Sequence, residues 1–440
     1  MTQMTQGGNN TIRLHREIAG ETRRIKVIRA LSRKNWVHSI ASLVIDYMQR
    51  RGGKPYQIDA IKCFAHDFRS SYLEEKPCIF TSAFVPNELI YGLGGVPFLP
   101  EAASGFAASF GLAGESLAAC ESLWYSPDLC SFHRAGVGAS VLELTPTPAA
   151  VVVSSHLCDG GKRSLFQISQ YHNCPFYILD VPYVHSAQTL DRLARQIEKV
   201  AASLEREVPG LSGDHMAEAF ANSNAARDYY LNLCNLRTNI PSPWRGSEAL
   251  NYVVLFLWSW GSPWLTKFYR DLVDHAENII DTGHYPVENE QLRLGWLNLR
   301  PYYSPRLFSY LEEKCQVSIA FEEFSHMYWD RLDASVPYMS LAKKIMANPG
   351  WGPLERRLEV IGRIVQDFSI DGVVQFAQWG CRQYNGAASI LSDYLKKKGV
   401  PFLNLDGDGV DERNSGEAQS LTRLGAFVEL LESRKLRKVR

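Results

Sequence analysis

The chain has 440 residues, 45% of them hydrophobic, which at about 100–200 residues per domain provides for more than one buried core and excludes disordered and collagen-like classes. Its 47 Lys and Arg side chains balance 47 Asp and Glu, so no global field draws it to nucleic acid or to an anionic membrane. The nine cysteines, at 63, 78, 120, 130, 158, 174, 234, 315 and 381, are odd in number and contain no C-x-x-C pair, which argues against a disulfide framework.

In chain order, Met1 to Asn10 is polar and uncharged, so neither a secretory signal nor a transit peptide is expected, and the chain reads as cytoplasmic. Residues 1–75 are expected to form a helical N-terminal arm, with Arg13, Arg16, Arg23, Arg24, Lys26, Arg29, Arg33 and Lys34 ahead of the apolar set Ile40, Leu43, Val44 and Tyr47. Residues 76–188 read as a first α/β domain. Short apolar runs at Cys78 to Ser82, Ala150 to Ser155 and Phe176 to Asp180 are separated by segments long enough for helices, which implies parallel pairing through right-handed crossovers. Leu89 to Gly114, rich in Gly and Pro, reads as strand, turn and packed helix.

Residues 189–290 carry almost no strand signal, and Leu190, Leu193, Ile197, Val200 and Leu204 step by three and four as one helix face does, so a helical middle domain is expected. Within it, Ala249 to Thr266 predicts a buried helix rather than a membrane span, because Asn251, Ser259, Gly261, Ser262 and Pro263 interrupt it before the roughly 20 residues a bilayer needs. Residues 291–440 resume the alternation with runs at Leu292 to Trp296, Val317 to Phe321, Gly372 to Ala377 and Phe402 to Leu405, a second α/β domain. The basic end, Arg434 to Arg440, reads as a solvated tail.

Open α/β sheets bind ligands outside the carboxyl ends of their strands, and that rule sorts the cysteines. Cys158 and Cys381 each follow a predicted strand and precede a helix, so they share the functional rim in two separate units. A helix N-terminus, with Arg163 and Arg382 close in sequence, favours thiolate there, which is what a soft metal needs. Cys174 and Cys315 precede their strands, and Cys63 and Cys234 fall within helical patterns, so these four read as core. Cys130 lies in a loop, and on composition alone it is no better a candidate than Cys120.

Other chemistries lack their motifs. No G-x-G-x-x-G follows a strand, and Gly160-Gly161-Lys162-Arg163-Ser164 lacks the upstream glycine of a phosphate loop. Asp406-Gly407-Asp408-Gly409-Val410-Asp411 departs from a calcium loop in its glycine and ligand positions and reads as a strand followed by a capping turn. H-E-x-x-H and G-x-S-x-G are absent.

The residues do resemble one family. Phe84-Val85-Pro86-Asn87-Glu88-Leu89-Ile90-Tyr91-Gly92-Leu93-Gly94 resembles the P-x-E-L-I-x-A-x-G opening of the 2-hydroxyacyl-CoA dehydratase and benzoyl-CoA reductase family, to which the 2-hydroxyglutaryl-CoA dehydratase D-component belongs. Leu129-Cys130 with Arg134 and Gly138 resembles its first cluster cysteine, Cys158-Asp159-Gly160-Gly161-Lys162 its second, and Trp379-Gly380-Cys381-Arg382 its third. Asp406, Asp408, Asp411-Glu412-Arg413, Gln419 and Thr422-Arg423-Leu424 with Phe427-Val428-Glu429 match its close.

The resemblance implies an oxygen-sensitive 4Fe-4S cluster held by Cys130, Cys158 and Cys381 between two Rossmann-like parallel-sheet domains, with one iron left open. It implies a subunit of a dehydratase that expels water from a 2-hydroxyacyl-CoA by radical chemistry. That subunit would work with a homologous second subunit, or with itself as a homodimer, and with an ATP-hydrolysing activator that carries its own 4Fe-4S cluster. The same family admits a benzoyl-CoA-type reductase, an electron-relay subunit, or a double-cubane protein holding an 8Fe-9S cluster, for which Cys120 and Cys315 would be spare thiols. Glu88, at a strand-to-helix turn, is a candidate for moving protons at the substrate, with a helix-start carboxylate as the alternative. Arg413 and Arg423 are expected to pair with Asp408, Asp411 or Glu429.

Overall fold

The computed structural model describes residues 22–439, so the Met1 to Asn10 segment, Arg13 and Arg16 lie outside the described residues. Three helices come first, Arg23–Ser32, Asn35–Arg50 and Pro55–Tyr72. Thr22 caps the first by accepting from the Ile25 amide, and Pro55 opens the third, where its missing N–H costs nothing. The middle one buries only Ile45 and leaves Ile40, Leu43, Val44 and Tyr47 exposed.

Strands β1 (Cys78–Thr81), β2 (Val96–Phe98), β3 (Ala150–Ser154) and β4 (Phe176–Leu179) form a parallel sheet in the order β2-β1-β3-β4. Strands β5 (Leu292–Leu297), β6 (Val317–Glu322), β7 (Gly372–Gln378) and β8 (Phe402–Gly407) form a second parallel sheet in the order β6-β5-β7-β8. The two orders are the same, second-first-third-fourth. Each sheet therefore has a point, between its first and third strands, where successive crossovers leave in opposite directions and a crevice opens at the carboxyl ends. β1, β3, β5 and β7 are buried throughout, as strands covered on both faces are, whereas β4 is half-exposed along an edge. β2 contains Pro97, which an edge strand tolerates because one side of its backbone needs no ladder partner.

Between the sheets run helices Ala187–Glu207, Met216–Leu236, Gly246–Trp258 and Pro263–Thr282. Ser186 and Thr189 cap the first reciprocally, and Leu193, Ile197, Val200 and Leu204 form its buried face. The single helix expected over Ala249 to Thr266 is instead broken. It stops at Trp258, and a new helix starts at Pro263 with the Ser262 hydroxyl accepting from the Trp264 amide. Trp258 anchors this break to the first sheet: its indole N–H donates to the Pro97 carbonyl at 2.9 Å, and Phe98 meets its ring edge-on at 5.3 Å. The basic end is solvent-exposed from Arg434 to Arg437, as expected, but it is helical: helix Glu417–Val439 runs through it, and Arg434 donates to the Gly399 carbonyl. No described helix is long and apolar enough to cross a membrane.

A buried ionic network joins the two sheet units. Arg134, 1% exposed on helix Ser131–Val141, donates to Glu121 at 2.5 Å, to Asp411 beyond β8 at 3.0 Å, and to the Leu129 carbonyl at 2.9 Å. Arg413 closes the ring by donating to the same Asp411, at 2.7 Å, and to Glu121. Arg413 thus meets the expected partner Asp411, whereas Asp408 accepts from Ser131, from Gln378, from Asn414 and from the Val410 and Asp411 amides. Arg423 departs from the expectation, donating to Asp406 at 3.1 Å rather than to Asp408, Asp411 or Glu429.

Burial pushes the Asp411 carboxyl up, but the hydrogen bonds from Arg413 and Arg134 outweigh it and hold the group below its ordinary value. A carboxyl depressed in the folded state stabilises above its unfolded pKa of about 4 and loses that contribution as pH falls further. Asp411→Asn is expected to cost about 3–5 kcal/mol near neutral pH, because it strips a partner from a buried guanidinium. Urea unfolding at pH 7 and pH 3.5 tests this: the gap between wild type and variant should narrow in acid, and a gap that widens would contradict the assignment.

Candidate metal centre

Cys158 and Cys381 occupy equivalent places in the two sheets. Cys158 ends the loop after β3 and caps helix Asp159–His172, its sulfur accepting from the Gly161 amide at 3.4 Å. Cys381 ends the loop after β7, ahead of the short helix Arg382–Asn385, with its amide donating to the Gln378 carbonyl at 3.0 Å. Cys130 follows no strand. It precedes helix Ser131–Val141, and its neighbours Leu129 and Ser131 are both tied into the inter-unit network, through Arg134 and Asp408.

All three cysteines line one cavity of about 1030 Å³. Ala83 and Phe84, beyond β1, and Asn298, beyond β5, share its wall, so both crevices predicted by strand order open into the same space. Burial pushes the Cys130 thiol well up, with Cys158 and Cys381 adding to the shift. Burial also raises Cys381 to about 11, with Cys158 adding and the Tyr384 amide opposing. Cys158 thus acts on both of the other sulfurs, and at Cys381 burial overrides the thiolate-favouring influences expected from sequence. Arg382 is engaged by Asp159.

Thiols that burial keeps protonated, as at Cys130 and Cys381, become favourable ligands once a cationic centre sits among them, since metal coordination removes the proton outright. Among the described residues no three His, Cys, Asp or Glu side chains converge on one point as a single ion requires. Three sulfurs ringing a cavity suit a cluster, in which each thiolate meets a different iron.

Of the other cysteines, Cys63, Cys78 and Cys120 are buried in the apolar core, and Cys174, Cys234 and Cys315 are half-buried; none lines this cavity. Glu88 also lies outside the wall. It is 0% exposed and accepts from Ser223 at 2.7 Å and from the Lys344 ammonium at 2.6 Å. Lys344 lies 4.0 Å from the Trp329 ring centroid, so the carboxylate at the start of helix Glu88–Gly92 holds a cation inside an aromatic box.

Two side chains of the wall were not singled out from sequence. His133 brings Nε2 to 3.1 Å from the Cys158 sulfur, and Glu101 stands 3.5 Å from its Nδ1. Burial alone would lower this imidazole, but Cys158, Glu101 and Asp159 outweigh it and raise the group to about 9. His133 stands within the cysteine segment Leu129 to Arg134, but its partner sulfur is on another helix, so only the fold reveals the contact.

Gly380 sets the spacing between the loops of Cys381 and Cys130. Its φ is +76°, and a Cβ there would stand 2.6 Å from the Cys130 amide nitrogen and 2.9 Å from the Asp128 carbonyl oxygen. Gly380→Ala is expected to cost about 1–3 kcal/mol through left-handed backbone strain, besides displacing one cysteine loop from the other. Thermal unfolding of the variant checks this, and an unchanged midpoint would refute the close approach.

Comparison with known proteins bears on this arrangement. The family model for 2-hydroxyglutaryl-CoA dehydratase, D-component, matches residues 82–431. The (R)-phenyllactyl-CoA dehydratase alpha subunit of Clostridium sporogenes is 22% identical, with 80% of this chain and 88% of the relative covered. The lactoyl-CoA dehydratase subunit alpha of Anaerotignum propionicum is 22% identical, with 83% and 93% covered. The (R)-2-hydroxyglutaryl-CoA dehydratase subunit alpha of Acidaminococcus fermentans is also 22% identical, with 66% and 61% covered. The family match takes in Cys130, Cys158, Cys381 and the aspartate network alike, and the chain belongs to the 2-hydroxyglutaryl-CoA dehydratase D-component family.

Proposed function

We propose that the chain is a subunit of an oxygen-sensitive 2-hydroxyacyl-CoA dehydratase, a hydro-lyase, in which Cys130, Cys158 and Cys381 hold one 4Fe-4S cluster. The observation that carries this reading is the gathering of three thiols from three separate elements onto one cavity at the carboxyl ends of both sheets. When bound, such a cluster supplies an open iron position and a one-electron route for removing water from a 2-hydroxyacyl thioester.

The chain's own residues do the holding and shaping. Cys158 and Cys381 present thiolates from the two strand-to-helix junctions, and Cys130 is fixed from both sides by Arg134 and Asp408. Phe132, Val137, Val254, Leu257 and Tyr302 make much of the wall apolar, which keeps water from the reacting centre and suits an acyl chain. Lys162 and Arg163, the fourth and fifth residues of helix Asp159–His172, give the wall a cationic edge suited to the phosphates of an acyl-CoA.

ATP-driven electron injection falls in this reading to a separate activator with its own 4Fe-4S cluster, in keeping with the missing phosphate-loop motif. The alpha-subunit names of the relatives support a homologous second subunit, with a homodimer as the other possible assembly. A cytoplasmic setting, where thiols stay reduced, belongs to the same proposal. The benzoyl-CoA-type reductase shares the cluster ligands, whereas the double-cubane alternative has less support because Cys120 and Cys315 contribute nothing to the cavity wall.

Protein purified without oxygen should hold about four irons and as many labile sulfides per chain, with a visible absorbance that bleaches in air. Cys381→Ala should lose most of the iron while Cys315→Ala keeps it. Iron-free wild type in a well-folded preparation, or full iron in Cys381→Ala, would rule out the ligand set.

A further inference from the structure

We propose that His133 is a positioning residue that donates a hydrogen bond from Nε2 to the cluster-ligand sulfur of Cys158 and thereby raises the reduction potential of the centre. This rests on the cluster reading above and goes beyond it by assigning a residue outside the three cysteines. The ring is held from several sides. Ser164 Oγ lies 3.3 Å from Nδ1, and Glu101 Oε1 lies 3.5 Å from the same atom. Glu101 is itself fixed, since its Oε2 accepts from the Ala83 amide at 3.0 Å, and its buried Oε1 has no hydrogen-bond partner.

The backbone beside Cys158 leaves room for this arrangement only because it is glycine. A Cβ at Gly160 would stand 3.0 Å from the His133 ring, and one at Gly161 would stand 2.7 Å from Glu101 Oε1. A line of contacts therefore runs from Ala83, beyond β1, through Glu101 and His133 to Cys158, joining the first and third strand ends of one sheet at the ligand sulfur.

A sulfur bound to iron carries no proton, so a ring nitrogen 3.1 Å away is a favourable neighbour only as the donor. Donation withdraws electron density from the thiolate. The reduced, more negative state of the centre gains more from that than the oxidised state, so the potential rises. The Gly161 amide acts on the same sulfur in the same sense, from 3.4 Å.

The test compares wild type, His133→Leu and His133→Gln, purified without oxygen. Iron and sulfide per chain are measured first, then the midpoint by spectroelectrochemical titration without substrate. His133→Leu should retain iron and titrate at a more negative potential, and His133→Gln, which keeps a side-chain N–H, should return toward the wild-type value. Loss of iron in His133→Leu but not in His133→Gln would also support donation. An iron-replete His133→Leu with an unmoved midpoint, a His133→Gln displaced as far as His133→Leu, or folded variants that both lose their iron would overturn the proposal. Wild type without iron would instead report failure of the cluster reading itself.

Discussion

Arg134 carries a fixed charge into a place almost without water, and the protein can keep it there only by surrounding it with acceptors from both halves of the chain. Glu121 and the Leu129 carbonyl come from the first unit and Asp411 from the second, so a buried arginine becomes the joint between two sheets. Because the carbonyl it binds belongs to the residue before Cys130, satisfying the charge also fixes the cysteine. Asp408 does the same from the other side through Ser131. The acidic run after β8, which looks in sequence like a defective calcium loop, is thereby explained as a clamp on a distant thiol.

The rest of the arrangement follows from strand order. Two sheets with the same sequence of pairings put their first and third strand ends at matching crevices, and turning those crevices toward each other makes one cavity. Cys158 and Cys381 stand at the matching junctions. Cys130 breaks the symmetry, because no strand leads to it, and it needs the ionic clamp where the others have a sheet. The buried Glu88–Lys344 pair lies away from this cavity and joins the first unit to helix Pro337–Ala347.

Most of the strand runs from Cys78 to Phe402 are legible because parallel strands buried on both faces read as continuous apolar runs, and with the half-exposed edges β4 and β8 seven strands stand at the expected places, their ends shifted by a residue or two. Val96–Phe98 was harder to read, since a three-residue edge strand containing proline carries little pattern. The break at Ser259 to Ser262 was visible as interrupting residues, yet that a second capped helix begins there depends on Trp258 locking into the first sheet, which is tertiary. The rim positions of Cys158 and Cys381 followed from local order alone. Cys130 could be separated from Cys120 only by family likeness, because its placement depends on acceptors that follow far along the chain. His133 and Glu101 escaped notice for the same reason: the bonds that make them interesting run between elements.

The division of the three cysteines also orders the life of the chain during synthesis. Cys130 and Cys158 leave the ribosome with the first sheet, long before Cys381 exists, and the aspartates that clamp Cys130 emerge later still. Domains fold as they emerge, so the first unit spends that interval with two thiols awaiting their third and with Arg134 lacking its Asp411 partner. The pocket is completed only once the segment from Cys381 to Asp411 has been translated. A chain cut short between β4 and Asp408 would keep a whole first sheet and yet lack the clamp on Cys130.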